Sequence, residues 1–244
     1  MNTNGTISVA AGKPGMSADR KAAVWIGVLY IIGTVAFVLS AVVTSAVLTG
    51  PAYLAQVAAQ PNQLAIGALL VLLAAFALAM VPVVFWPVGK RYNETLAMGY
   101  VVFRGALETV MYIVGALGWL LLIPLSTQPD AAPLAGFVRT VDTVIWDQLQ
   151  PIPFVLGALM FYVLLYQSRL VPRWLSAWGL VAAALGIVPP LGGMFGLSSL
   201  GVLVAPLFLQ EMVMAVWLIA KGFNPMAVAS APAIEPSRAA AGAL

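Results

Sequence analysis

Arg104 and Glu108 stand four residues apart inside one long apolar run, Leu96 to Ser126, and Glu211 stands inside another, next to Gln210. A charge near the middle of a bilayer costs a few kcal/mol or more unless it meets a partner or water. The four-residue spacing puts Arg104 and Glu108 on one helix face, so these two can pair within their own helix. One Arg and two Glu sum to minus one when all are ionised. Either one carboxyl is then protonated at neutral pH, or a bound cation completes the balance. The chemistry open to such a group is proton coupling, ligand binding, or a structural clamp between helices. Arg104, Glu108, Glu211 and Gln210 are therefore the candidate binding or proton-coupling residues.

These residues need elements that hold them at one depth. With 62% hydrophobic and 8% charged residues, the chain is built for a lipid solvent. Crossing about 30 Å of hydrocarbon takes roughly 20 helical residues, and six stretches qualify: 24–48, 63–88, 96–125, 150–168, 173–191 and 199–221. The fold expected is an all-α bundle of six transmembrane helices over residues 20–225, flanked by disordered tails at 1–19 and 226–244.

Lys13, Arg20, Lys21, Lys90, Arg91, Arg169, Arg173, Lys221 and Arg238 all fall on one side of such a bundle, and only Arg139 falls on the other. The positive-inside rule then places both termini in the cytoplasm, and a bacterial inner membrane fits the pattern. The net charge of +3 is a topology signal and not a nucleic-acid footprint. The first span has no convincing small-residue cleavage site and reads as retained.

Counting 1.5 Å per residue, Arg104 lies roughly 11–13 Å and Glu108 roughly 17–19 Å from the basic side, with Glu211 at roughly 15 Å. The depths allow the three to meet. Pro82 in the second span and Pro206 in the sixth each remove a backbone donor near the same level. In the long loop before the fourth span, Leu134, Phe137, Val138, Val141, Val144, Ile145 and Leu149 repeat at helical spacing, with Arg139, Asp142 and Asp147 on other faces. This predicts an amphipathic helix on the outer surface, either a lid or an interfacial support, with Asp142 and Asp147 as secondary candidates. Residues 51–60 predict a short interfacial turn of helix, and PPLGGMFGLSS a tight outer turn.

The chain has no Cys and no His, which excludes disulfides, thiolate or Ser-His catalysis, imidazole haem ligation and Cys/His zinc sites. No Lys lies inside a span, against a retinal-type Schiff base, and no cofactor is implied. An intramembrane enzyme would have to rely on Asp142, Asp147, Glu108 or Glu211, and aspartyl-protease motifs are absent.

Three blocks, KRYNETLAMGYVVFRGALE, LLYQSRLVPRWLSAWGL and LQEMVMAVWLIAKGFNP, resemble a family of bacterial multi-span membrane proteins that is described as a domain of unknown function. Arg104, Glu108 and the Gln210–Glu211 pair coincide with polar landmarks of that family, while Gln167 stands where a basic residue is common. The resemblance implies the architecture and no activity. Six spans also divide into two halves of opposite orientation, each with a mid-membrane Glu in its third span, the layout of an inverted repeat; residue-level similarity between the halves is not evident. Three functions stay open. The chain either binds or transports a small amphipathic or lipid-like molecule, serves as a structural or regulatory membrane subunit, or is an intramembrane enzyme. Its one implied partner is the lipid bilayer; a homo-oligomer or protein partner stays open.

Overall fold

The computed structural model describes residues 16–230, and the two predicted tails fall mostly outside them. Among the described residues every regular element is helical, and six helices are long and apolar enough to cross a membrane. The chain is a multi-pass membrane protein.

The first span is α1 (Ala18–Leu48), capped by the Ser17 hydroxyl, which accepts from the Arg20 N–H. The short α2 (Tyr53–Ala59) matches the expected interfacial turn, and α3 (Pro61–Gly89) is the second span, with Pro82 and Pro87 inside it. The third span begins as α4 (Glu94–Tyr100), widens into a π-helical segment over Val101–Leu107, and continues as α5 (Glu108–Leu125). The fourth is one unbroken path through α6 (Ala132–Val144), a second π-helical segment over Ile145–Leu149, and α7 (Pro151–Ser168). The fifth is α8 (Arg173–Gly186) with α9 (Val188–Met194). The last comprises a 3₁₀ stretch over Ser198–Val204 and α10 (Ala205–Ala220), followed by the short α11 (Pro225–Ala229).

Each span packs beside the next in sequence, and the sixth returns against the first, closing a ring. A ring of six helices has an axis that must be filled. On its lower half large aromatics fill it: Tyr100 stacks on Phe161 at 4.5 Å, Phe85 meets Phe161 edge-on at 4.9 Å, and the hydroxyls of Tyr30 and Tyr100 share a 2.8 Å hydrogen bond. Pairing the two hydroxyls avoids the cost of burying either alone. Outward-facing Leu69, Phe76, Val102, Leu117 and Val216 are exposed, as lipid contact requires.

The basic residues gather at one end. Arg20 donates from Nη1 to the Leu218 carbonyl at 2.8 Å and from Nη2 to the Ile219 carbonyl at 2.6 Å, closing the C-terminus of α10 with a cation. Asp19 pairs with Arg91, and Arg169, Arg173 and Lys221 border one cleft nearby.

Several expectations change. The amphipathic helix exists but is the head of the fourth span rather than a separate surface helix. Its polar side turns inward, with Asp142 buried, while Leu134 and Phe137 are exposed. The expected outer turn at PPLGGM is helical, with the reversal delayed to Gly196 at φ 80°. Pro206 sits at the second position of α10, directly after the 3₁₀ stretch, rather than in the interior of an α-helix. At the ends, order extends past 20–225. Ala18 and Asp19 are helical, and α11 is held by the Tyr92 hydroxyl donating to the Ala227 carbonyl at 3.0 Å.

Because Arg20 joins the first span to the last, Arg20→Ala lowers stability by about 1.5–3 kcal/mol, the range for a charge-assisted hydrogen bond. Thermal unfolding in detergent checks this; a melting temperature equal to the parent's contradicts it.

Candidate functional site

The first π-helical segment is what aims the ion cluster. Its wide turn is closed by the Glu108 N–H reaching back five residues to the Phe103 carbonyl. Such segments insert an extra residue into a turn and commonly occur at functional sites. On one side Gly157 of α7 lets that backbone come close, since a Cβ there would lie 3.0 Å from Arg104 N and Cβ. On the other side Gly105 faces Pro82 of α3, where an added Cβ would lie 3.2 Å from the proline ring. The segment is thereby wedged between two neighbours, and Arg104 points to the ring axis.

There it meets both carboxylates. Arg104 Nη1 donates to Glu108 Oε1 at 3.2 Å and lies 3.1 Å from Oε2, and Nη2 lies 3.2 Å from Glu211 Oε1 on α10. All three side chains are 3% exposed or less. Two rings lie close to the guanidinium: its carbon is 4.5 Å from the Phe154 centroid and 5.8 Å from that of Tyr30. Gln150, just past the second π-helical segment, donates from Nε2 to Glu108 Oε1 at 3.2 Å. Two buried atoms of this cluster lack a hydrogen-bond partner, Arg104 Nε and Glu108 Oε2. The second is near Arg104 Nη1 in distance but not aligned with it.

Gln210 does not join this cluster. It accepts from the Tyr162 hydroxyl and donates to the Leu175 carbonyl at 3.0 Å, tying α10 to α7 and α8. Asp142 lies further along the fourth span, paired with Arg139 and accepting from the Trp146 indole N–H at 2.7 Å. Asp147 is exposed beside it.

Beside the ion cluster lies a cavity of about 210 Å³, walled by Glu108, Glu211, Phe37, Tyr112, Phe154 and Phe208 among others. A second cavity of about 440 Å³ holds Asp142, Asp147, Arg139, Ser40 and Thr44. Phe37, Trp146 and Gln150 line both, so these three side chains form the partition between an upper vestibule and the inner chamber. Trp146 lies at the centre of an aromatic group, stacked on Trp119 at 5.4 Å and edge-on to Tyr112 at 5.6 Å. It fits because Gly115 presents no side chain to its ring. Along α1, Tyr30 is roughly 18 Å and Phe37 roughly 28 Å from Ala18, so the cluster and chamber occupy the middle of a 31-residue helix.

A family model matches residues 25–222, from the first span through the last, and takes in every member of the ion cluster. The chain belongs to that family, the domain of unknown function DUF4386. No curated protein and no solved structure matches it.

In this DUF4386 chain the sequence reading missed Gln150 and the ring-bearing walls. A polar residue at the head of a span, directly before Pro151, was the available signal for Gln150. Nothing local marks Phe37, Phe154 or Phe208 among the other apolar residues of their spans.

Removing one member of a buried ion group leaves its partners charged and unmatched, which costs about 3–5 kcal/mol. Arg104→Ala is therefore expected to lose about that much stability. The triple variant Arg104→Ala, Glu108→Gln, Glu211→Gln is expected to regain most of it. Equilibrium unfolding of both in the same detergent checks the order, and a triple variant no more stable than the single one contradicts it.

Proposed function

We propose that this membrane protein binds a small amphipathic or lipid-like molecule in the inner chamber, beside Arg104, Glu108 and Glu211, and passes it toward or from the vestibule. The observation that carries this reading is the shared wall. The buried ion cluster borders a cavity, and the cavity adjoins a larger one through Phe37, Trp146 and Gln150. A pair serving only to clamp helices needs no space beside it. Pockets with apolar walls and a few convergent polar groups are the usual form of a small-molecule site.

The arrangement supports a gating part for Trp146 and Gln150. Both belong to or adjoin a π-helical segment, a form frequent at functional sites. Gln150 holds Glu108 and Trp146 holds Asp142, so the partition is linked to a carboxylate on either side. The concentration of Arg20, Arg91, Arg169, Arg173 and Lys221 at one end supports a cytoplasmic position for that end, in a plasma membrane.

A second reading, a structural or regulatory subunit, draws on one observation: Arg104 already bridges Glu108 and Glu211, joining the third span to the sixth without any ligand. Glu211→Gln separates the two. Under the binding reading, native mass spectrometry of gently purified protein finds one small molecule or lipid enriched on the parent chain and depleted on Glu211→Gln, with both folded by their melting transitions. If neither protein retains a specific molecule and the variant differs only in stability, the structural reading stands.

A further inference from the structure

The inner chamber has a charge and a lining that together select a class of ligand; the argument rests on the binding reading above. Its ionisable walls are Arg104, Glu108, Glu211 and Tyr112, with Gln150 and Thr34 as neutral polar neighbours. With both carboxyls ionised against one guanidinium, this wall carries one negative charge more than it can match from within. The nearest further ions, Asp142 and Arg139, are already paired with each other and supply no surplus cation.

The remaining walls are aromatic. Phe37 is edge-on to Tyr112 at 5.8 Å and parallel to Phe208 at 6.4 Å, and Trp146 closes the side toward the vestibule. Arg104 lies over Phe154, whose ring is also stacked with Phe208 at 6.0 Å, so a ligand in the chamber meets a packed aromatic group of Phe37, Phe208, Tyr112 and Trp146. A third observation points the same way. Glu108 lines this chamber and is 1% exposed, and its Oε2 lies 3.1 Å from Arg104 Nη1 without an aligned hydrogen bond. A carboxylate oxygen has two lone pairs, so one ion-pair contact leaves acceptor capacity for a further donor.

An anion would add to the unmatched charge. A neutral molecule would leave it standing. A bare metal cation would look for six or more oxygens, and this wall has mainly ring faces to offer. An ammonium group meets the need on both counts, donating to the Glu108 and Glu211 carboxylates while neighbouring rings receive its charge. The volume of about 210 Å³ sets the size; at about 30 Å³ per water it holds roughly seven waters, or a molecule of about ten heavy atoms. We propose that the chamber is a site for a small protonated amine with an apolar or aromatic body, its ammonium on Glu108 and Glu211 and its body among Phe37, Phe208 and Trp146.

Three probes of one shape test this on the full chain in detergent by isothermal calorimetry: phenethylammonium, neutral 2-phenylethanol and anionic 3-phenylpropanoate. The expected result is binding of phenethylammonium at least tenfold tighter than of either other probe. Glu211→Gln is expected to weaken the amine at least tenfold, while Asp147→Asn in the vestibule leaves it within twofold. Phe208→Leu keeps an apolar wall but removes a ring face, so it weakens the amine severalfold and the alcohol little. This variant keeps the proposal testable if Glu211→Gln fails to fold. Equal or tighter binding of the alcohol or the anion overturns the amine assignment and leaves the binding reading intact. No binding of any probe to folded protein overturns both.

Discussion

Arg104 is a guanidinium held at the axis of a membrane bundle, and the requirement that it be matched there orders the elements around it. Its two carboxylate partners come from different spans, Glu108 from its own and Glu211 from the sixth. To bring it to the axis the helix is wound wide over Val101–Leu107, and to bring the neighbours within reach Gly157 and Gly105 present no side chains. The rings of Phe154 and Tyr30 then lie close to the planar group. A buried ion pair of this kind is weak evidence for stability, since well-packed apolar residues of equal volume often do as well or better. It borders a cavity, and the binding proposed above gives the charge a use.

The ring of spans explains why that charge has room beside it. Helices packed mainly to their sequence neighbours leave an axis for large side chains to fill. Below Arg104 the Tyr30, Tyr100, Phe85 and Phe161 rings close it. Above it the filling is incomplete, and the inner chamber and vestibule are what remain. The partition between them rests on Trp146, whose position depends on Gly115 and on the hydrogen bond to Asp142. The same ring gives both halves of the chain equivalent neighbours by connectivity alone, so it adds nothing to the idea of an inverted repeat.

Much of this was legible beforehand, and the exceptions have physical causes. Apolar length marks the six spans because lipid tolerates no unsatisfied backbone, and rise per residue set Arg104, Glu108 and Glu211 at one depth before any helix was placed against another. The pairing of Gln210 with Tyr162 and Leu175 was not legible, because depth fixes a level on a helix and not the direction a side chain faces. Asp142 was read as outward for a related reason: in water an amphipathic helix shows its polar side, but at the head of a span the apolar Phe137 faces outward and the Asp turns in. The π-helical segment over Val101–Leu107 is wedged between Gly157 and Pro82 rather than marked by a local motif, so no pattern along the chain announces it.

The central claim is that a negatively charged chamber at mid-membrane opens to the vestibule. The absence of native cysteine makes this directly measurable. Thr34→Cys places one thiol on the chamber wall and Thr143→Cys one in the vestibule. Each is reacted in folded protein with a cationic and an anionic methanethiosulfonate of equal size. The account predicts that the cationic reagent modifies Thr34→Cys at least tenfold faster than the anionic one, while the vestibule thiol shows a smaller preference. A chamber thiol that neither reagent reaches while the vestibule thiol reacts, or one that reacts faster with the anionic reagent, would contradict it.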